Sequence, residues 1–184
     1  VRIVRNIIRG PAPDAEQRLI CGIKDMYGDV DDVTIARNEI RYASTGIQVG
    51  AGRVRGNYLH DFGLREGDHI NGLTSNGAYG RLVVRRNTIL NQFPQTDAVG
   101  LFQDFGVESD RLITDNLLAG GGYVIYGGQG HLGRSHDIVI TDNRISQIFY
   151  RRGGRYGPIA HFDHRAPGNA FRGNVWDASG RRVH

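Results

Sequence analysis

The chain has 184 residues, 39% of them hydrophobic and 9% aromatic, which suits one domain with a sizeable core and excludes a disordered chain. Its basic charge rests on 22 Arg and a single Lys, Lys24, for a formal net charge of +4. The arginines are scattered, with no basic run beside a stacking module, so nucleic acid is not an expected partner. No apolar run approaches the roughly 18 residues of a membrane span, so no membrane partner is expected either.

In chain order, the opening segment "VRIVRNII" recurs as "VTIARNEI", "RVRGNYL", "LVVRRNTI", "LITDNLL", "IVITDNRI" and "AFRGNVW". The anchors are Asn6, Asn38, Asn57, Asn87, Asn116, Asn143 and Asn174, spaced by 32, 19, 30, 29, 27 and 31 residues. Such spacings belong to repeat architectures with loops of variable length. Three residues before each Asn stands Ile3, Ile35, Val54, Val84, Ile113, Ile140 or Phe171. Two residues after it stands Ile8, Ile40, Leu59, Ile89, Leu118, Ile145 or Trp176. On a straight strand these two positions would face opposite sides. The pattern therefore predicts a bend at the Asn, a residue that tolerates the left-handed backbone of a corner. Because the chain opens on Val1 inside a repeat, residues 1–184 are expected to be one domain cut from a longer chain.

A third short element follows most corners: "GIQVG" at 46–50, "INGLTS" at 70–75, "AVGLFQD" at 98–104, "YVIYGG" at 123–128 and "GPIAHFD" at 157–163. Three strands per turn without helical periodicity predict an all-β coil stacked on itself, a solenoid. About seven coils at ~4.8 Å would make a rod roughly 30 Å long, its asparagines aligned in a hydrogen-bonded ladder. A propeller blade needs four strands, and the spacing of 19 residues is too short for one.

Several polar or reactive segments interrupt this pattern. Cys21 in "RLICGIKDMYG" reads as a buried structural thiol, with no cation cluster beside it to activate it. "GDVDD", Gly28 to Asp32, has oxygen ligands that could hold calcium but lacks the spacing of a calcium loop, so a turn is expected. "LLAGGGYVIYGG" reads as tight turns, with Tyr123 and Tyr126 on opposite faces and one of them free to stack on a sugar ring. "HFDH", His161 to His164, is either a solvated strand-end loop or a group that assists a metal or a leaving group.

The run "EGDHINGLTSNG…LVVRRNTILNQFPQTDAVGLFQDFG…LITDNLLAGGGYVIYGG…GNVWDASG" resembles right-handed parallel β-helix proteins of the pectate-lyase-like superfamily. Within it the nearest likeness is to a group of exported, largely actinobacterial β-helix repeat proteins. The resemblance implies a secreted or cell-surface location, a polysaccharide partner and a groove along one sheet, walled by loops such as "HDFGLREG" and "NQFPQT". It does not fix the reaction, since one fold hosts many activities.

Aligning the third strands on Gly46, Gly72 and Gly100 sets Ile47, Leu73 and Leu101 inward. Gln48, Thr74 and Phe102 then face outward, with Asn76 and Asp104 two residues on. Asp68 shares the outward parity, whereas His69 and Asn71 share that of Leu73. They reach the groove only if the strand starts near Gly72; otherwise they form a polar corner. The family-like pattern carries Asp at position 71, so Asn71 is a poor candidate acid.

Asp68, His69 and Asp104 are the catalytic candidates. Asn71, Thr74, Asn76, Asp97, Gln103, Tyr126, Arg155 and His161 are the substrate-binding candidates. Elimination from an acidic glycan would use His69, or an arginine of "YRRGGRY", as base, with Asn71 or Gln103 or a calcium ion neutralising the uronate. Hydrolysis would instead pair two carboxyl groups among Asp68, Asp97 and Asp104. A module that binds glycan without cleaving it, or a tail-spike-like structural rod, is the non-enzymatic alternative.

Overall fold

The computed structural model describes residues 1–12, 19–25, 32–63, 67–78 and 80–184. Most of "GDVDD" and the centre of "HDFGLREG" lie outside the described residues.

The chain forms six complete three-strand coils and a seventh of two strands. The first coil is β1 (Arg2–Val4), β2 (Ile7–Arg9) and β3 (Leu19–Lys24). The second is β4 (Thr34–Ala36), β5 (Glu39–Arg41) and β6 (Ala43–Gln48). The third is β7 (Gly52–Arg55), β8 (Tyr58–His60) and β9 (Asn71–Ser75). The fourth is β10 (Leu82–Arg85), β11 (Thr88–Asn91) and β12 (Asp97–Leu101). The fifth is β13 (Ser109–Thr114), β14 (Leu117–Gly120) and β15 (Tyr123–Gly127). The sixth is β16 (His136–Thr141), β17 (Arg144–Ile145) and β18 (Gly157–Ala160), and β19 (Ala170–Arg172) with β20 (Val175–Trp176) begins the last. First, second and third strands stack into three separate parallel sheets of seven, seven and six strands. The fold is thus the expected parallel β-solenoid, with β3 as one third strand the repeat did not mark.

Both apolar positions of the repeat serve one core. Ile35, Val54, Val84, Ile113 and Ile140 from the first sheet meet Ile40, Leu59, Ile89, Leu118 and Ile145 from the second. Ile3, Ile8, Phe171 and Trp176 pack at the ends of that core. The chain between them turns a corner, and the asparagines run along it as a ladder. Asn87 Nδ2 donates to Asn116 Oδ1 at 3.0 Å and to the Val54 carbonyl at 3.0 Å. Its own Oδ1 accepts from the backbone and side-chain amides of Asn57, both at 2.9 Å. Every buried amide is therefore satisfied, which offsets the penalty of burying it.

The left-handed conformation, however, does not fall on the asparagines. It falls on the residue before each: Arg5, Arg37, Gly56, Arg86, Asp115, Asp142 and Gly173 all have positive φ. The Asn side chain must point along the corner to bond its neighbours, so the reversal is displaced to the preceding residue.

The third sheet departs from simple alternation. A Cβ at Gly46 would lie 2.6 Å from Leu59 Cδ2, and one at Gly72 would strike Ile89 Cγ2. Both glycines therefore face the core, and so do the following Ile47 and Leu73, each wholly buried. Two consecutive core-facing residues bend the strand and reset its parity. This puts Asn71 and Thr74, three apart, on the same outer face, contrary to the parity expectation for Asn71.

The expected register of the fourth coil also shifts by two residues. Leu73 pairs with Val99 and Thr74 with Gly100, not with Leu101 and Phe102. The shift brings Asp97 opposite Asn71 and Gly100 opposite the outward-facing Thr74.

A buried ion pair ties down the segment that follows β9. Arg111 Nε donates to Glu108 Oε2 at 2.5 Å, and its other nitrogens reach the carbonyls of Gly80 at 2.7 Å and Ala78 at 2.9 Å. Glu108 also accepts from the Gly77 amide at 2.6 Å.

Candidate functional site

The outer face of the third sheet carries two columns of side chains set by register. One runs Cys21, Thr45, Asn71, Asp97. The other runs Lys24, Gln48, Thr74, Gly100, Tyr126 and Ala160. Over the second to fourth coils these columns floor a groove of about 360 Å³. Thr45, Gln48, His69, Asn71, Thr74, Asn76, Thr96, Phe102 and Asp104 line it.

Five of the catalytic and binding candidates meet there, His69, Asn71, Thr74, Asn76 and Asp104, together with the outward-facing Gln48 and Phe102. His69 stands between β8 and β9, and Thr96, from "NQFPQT", between β11 and β12. Asn71 Nδ2 lies 3.4 Å from Thr45 Oγ1, and Thr74 Oγ1 donates to Asn76 Oδ1 at 3.2 Å. These short side chains are braced against one another, which limits what they lose on ordering around a ligand. Asp104 is exposed at the strand's far end, where the chain is fixed by Phe105 N donating to the Asn76 carbonyl at 2.9 Å.

The remaining candidates lie elsewhere. Asp68 is half-buried, accepts from the Ser44 hydroxyl at 2.6 Å and does not line the groove. Gln103 is 4% exposed. Its amide nitrogen donates to the carbonyls of Gly128 at 2.9 Å and Gly133 at 3.0 Å. Its oxygen accepts from the Leu132 and Gly133 amides. All its bonding capacity goes to folding that loop, so it has none left for a uronate. Arg155 is exposed on the sixth coil, where its charge faces the Tyr150 hydroxyl.

Tyr126 and His161 join an aromatic row that continues the groove toward the sixth coil. Phe102 and Tyr126 have centroids 5.3 Å apart, Tyr126 and His161 stack at 5.5 Å, and Tyr123 touches both Tyr126 and the exposed Tyr156. Both Tyr123 and Tyr126 are half-buried on this side, where one had been expected on each face. The bend of the strand explains it, since positions three apart share the outer side. That spacing of three, visible in Thr45/Gln48 and Asn71/Thr74 as well, is the sequence signal that would have found Thr45 and Tyr123. Burial, with help from Asp97 and then Tyr123 and Tyr156, pushes the Tyr126 hydroxyl above its ordinary range.

Asp97 stands where the polar groove meets this row. It is 0% exposed, and neither carboxyl oxygen makes a hydrogen bond with a described residue. Burial pushes its carboxyl well above the usual carboxylate range, opposed only in part by the nearby Gly72 amide.

Cys21 is half-exposed rather than buried, and burial still raises its thiol above the ordinary range, against the pull of Lys24. In "HFDH", Asp163 bonds Arg134 Nε at 2.8 Å and the Arg165 amide at 2.9 Å, so its carboxylate is spent on the loop. Those two contacts hold its pKa below the ordinary value. Among the described residues no group of three or more His, Cys, Asp or Glu side chains is placed to hold a metal ion. Comparison with family models, curated proteins and solved structures gives no match to this chain, so its functional reading rests on its own geometry.

Proposed function

We propose that the protein is a polysaccharide-acting β-helix of the pectate-lyase-like kind, exported to the cell surface or medium, which grips a glycan in the third-sheet groove and hydrolyses it. The observation that supports this reading is the convergence of His69, Asn71, Thr74, Asn76 and Asp104 with Phe102 in one open groove. Amides and hydroxyls suit sugar hydroxyls as paired donors and acceptors, and an aromatic ring suits the apolar face of a pyranose. Asp104 and His69 supply groups able to take a proton from water.

Hydrolysis is favoured over elimination because, among the described residues, the groove lining includes Asp104 and neither Arg nor Lys. A uronate carboxylate brought there would meet a like charge rather than a neutralising cation. Neutral glycans are the expected substrates.

The test is a panel of neutral and acidic polysaccharides, with and without calcium, followed for new reducing ends and for unsaturated-uronate absorbance. Reducing ends without absorbance are expected. Absorbance would replace hydrolysis by elimination, and retention of glycan with neither signal would make the protein a binding module.

A further inference from the structure

Gly100 is the position that reveals how Asp97 is housed. It sits on the outer face, in register with Thr74 of the groove and with Tyr126. A side chain there would have no room, because its Cβ would fall 2.5 Å from Asp97 Oδ2 and would also strike a ring carbon of Phe102. The carboxyl of Asp97 therefore projects outward over Gly100 and is roofed by Phe102. It is a wholly buried acid with no close hydrogen-bond partner among the described residues beyond the approach of the Gly72 amide, and Phe102 itself lines the groove.

Such a group is expensive to keep. A buried carboxyl with only the Gly72 amide nearby loses its hydration and gains little in return, while the same fold satisfies every amide in the Asn ladder. Among the described residues, the groups that face it are Asn71 on the preceding coil, the Gly72 amide and Tyr126 on the following coil. None of these is a cation that would hold a carboxylate.

We infer that Asp97 is a gated proton donor: a sugar ring that displaces the Phe102 side chain uncovers the carboxyl, which then protonates the glycosidic oxygen. This rests on the glycan-hydrolysing reading of the groove. The Asp97 O–H bond breaks as its proton passes to the glycosidic oxygen, and the C–O bond to the anomeric carbon breaks with its electron pair leaving on that oxygen. Water supplies the hydroxyl that replaces it at the anomeric carbon, and its second proton goes to the exposed Asp104 carboxylate. Asp104 then releases its proton to solvent, and solvent returns one to Asp97. Two carboxyl groups in opposite environments, one dry and one wet, divide the acid and base roles.

The experiment compares the intact protein with Asp97→Asn and Phe102→Ala on the best polysaccharide from the panel and on an aryl glycoside of the same sugar, whose leaving group needs no proton. Asp97→Asn is expected to bind the polysaccharide as before and to cleave it about 100-fold more slowly, within the usual range for a lost general acid. It should keep most of its rate on the aryl glycoside. Phe102→Ala admits water to the carboxyl, so the alkaline limb of its pH–rate profile should move to lower pH. This second variant decides the matter if Asp97→Asn does not fold.

Unchanged cleavage by Asp97→Asn, equal losses on both substrates, or an unmoved limb in Phe102→Ala would overturn the proton-donor role while leaving the groove reading standing. Binding without cleavage by the intact protein would also overturn it and keep the groove as a binding site. Neither binding nor cleavage would remove both.

Discussion

The Asn corner and the third-sheet groove bury polar side chains in opposite ways. At the corner, Asn38, Asn57, Asn87, Asn116 and Asn143 are buried and each amide is matched to the next. Under the aromatic edge of the groove, Asp97 is just as buried, and its oxygens make no close hydrogen bond with a described residue. The first arrangement holds coils together, while the second leaves capacity unused by the fold. Satisfied burial is a mark of structure and unsatisfied burial a mark of a place where a ligand can do work.

Breaking the corner should have the largest effect. Asn87→Ala removes the acceptor of the Asn57 amides and the donor to Asn116 and Val54, and is expected to lower stability by about 3 kcal/mol in denaturant unfolding. Asn87→Asp should be worse near neutral pH, because it loses both donors and buries a charge.

The groove floor should respond with the opposite sign. Since burial raises the Asp97 carboxyl in the folded state, the folded protein holds this proton to higher pH than the unfolded chain does. The stability it supports is complete below the ordinary carboxylate pKa and falls as pH rises toward the raised folded value. Asp97→Asn removes that dependence. Its melting temperature should exceed that of the parent near neutral pH, with the gap closing near pH 4. A gap that persists unchanged at pH 4 would point to packing rather than to ionisation.

A smaller effect sharpens the corner itself. Arg37 has φ of 57°, a conformation that disfavours a side chain with a Cβ, so Arg37→Gly is expected to change stability by no more than about 1 kcal/mol, in the stabilising direction. The smallest stability effect belongs to the groove surface. Thr74→Val keeps the shape of an outward-facing side chain while deleting its bond to Asn76. It should shift stability by less than about 1 kcal/mol yet weaken glycan retention on an affinity column.

Much of the fold was legible in the sequence because the Asn repeat couples two signals, an apolar position on either side and an amide that only a neighbouring coil can satisfy. The placement of the reversal was less so, because a side chain committed to the ladder pushes the left-handed residue one position back, where Arg5, Arg37 and Arg86 carry no conformational signature and only Gly56, Asp115, Asp142 and Gly173 do. For the site, Asn76 and Asp104 could be placed by counting two residues on from the outward Thr74 and Phe102. Asn71 and Tyr123 could not, because Gly72 and its equivalents bend the strand and break the period of two. Gln103 misled for a different reason: an amide in sequence gives no hint whether it bonds a ligand or, as here, the 128–133 loop.

The most direct measurement is a titration of the intact protein and of Gln48→Trp with the glycan best retained in the panel, alongside the melting temperature of each. Gln48 lines the groove and faces outward, so the indole should fill it without disturbing the core. Saturable binding by the parent and its loss in an equally stable Gln48→Trp is the expected result. Equal binding by both proteins would place the glycan elsewhere and contradict the groove as the functional site.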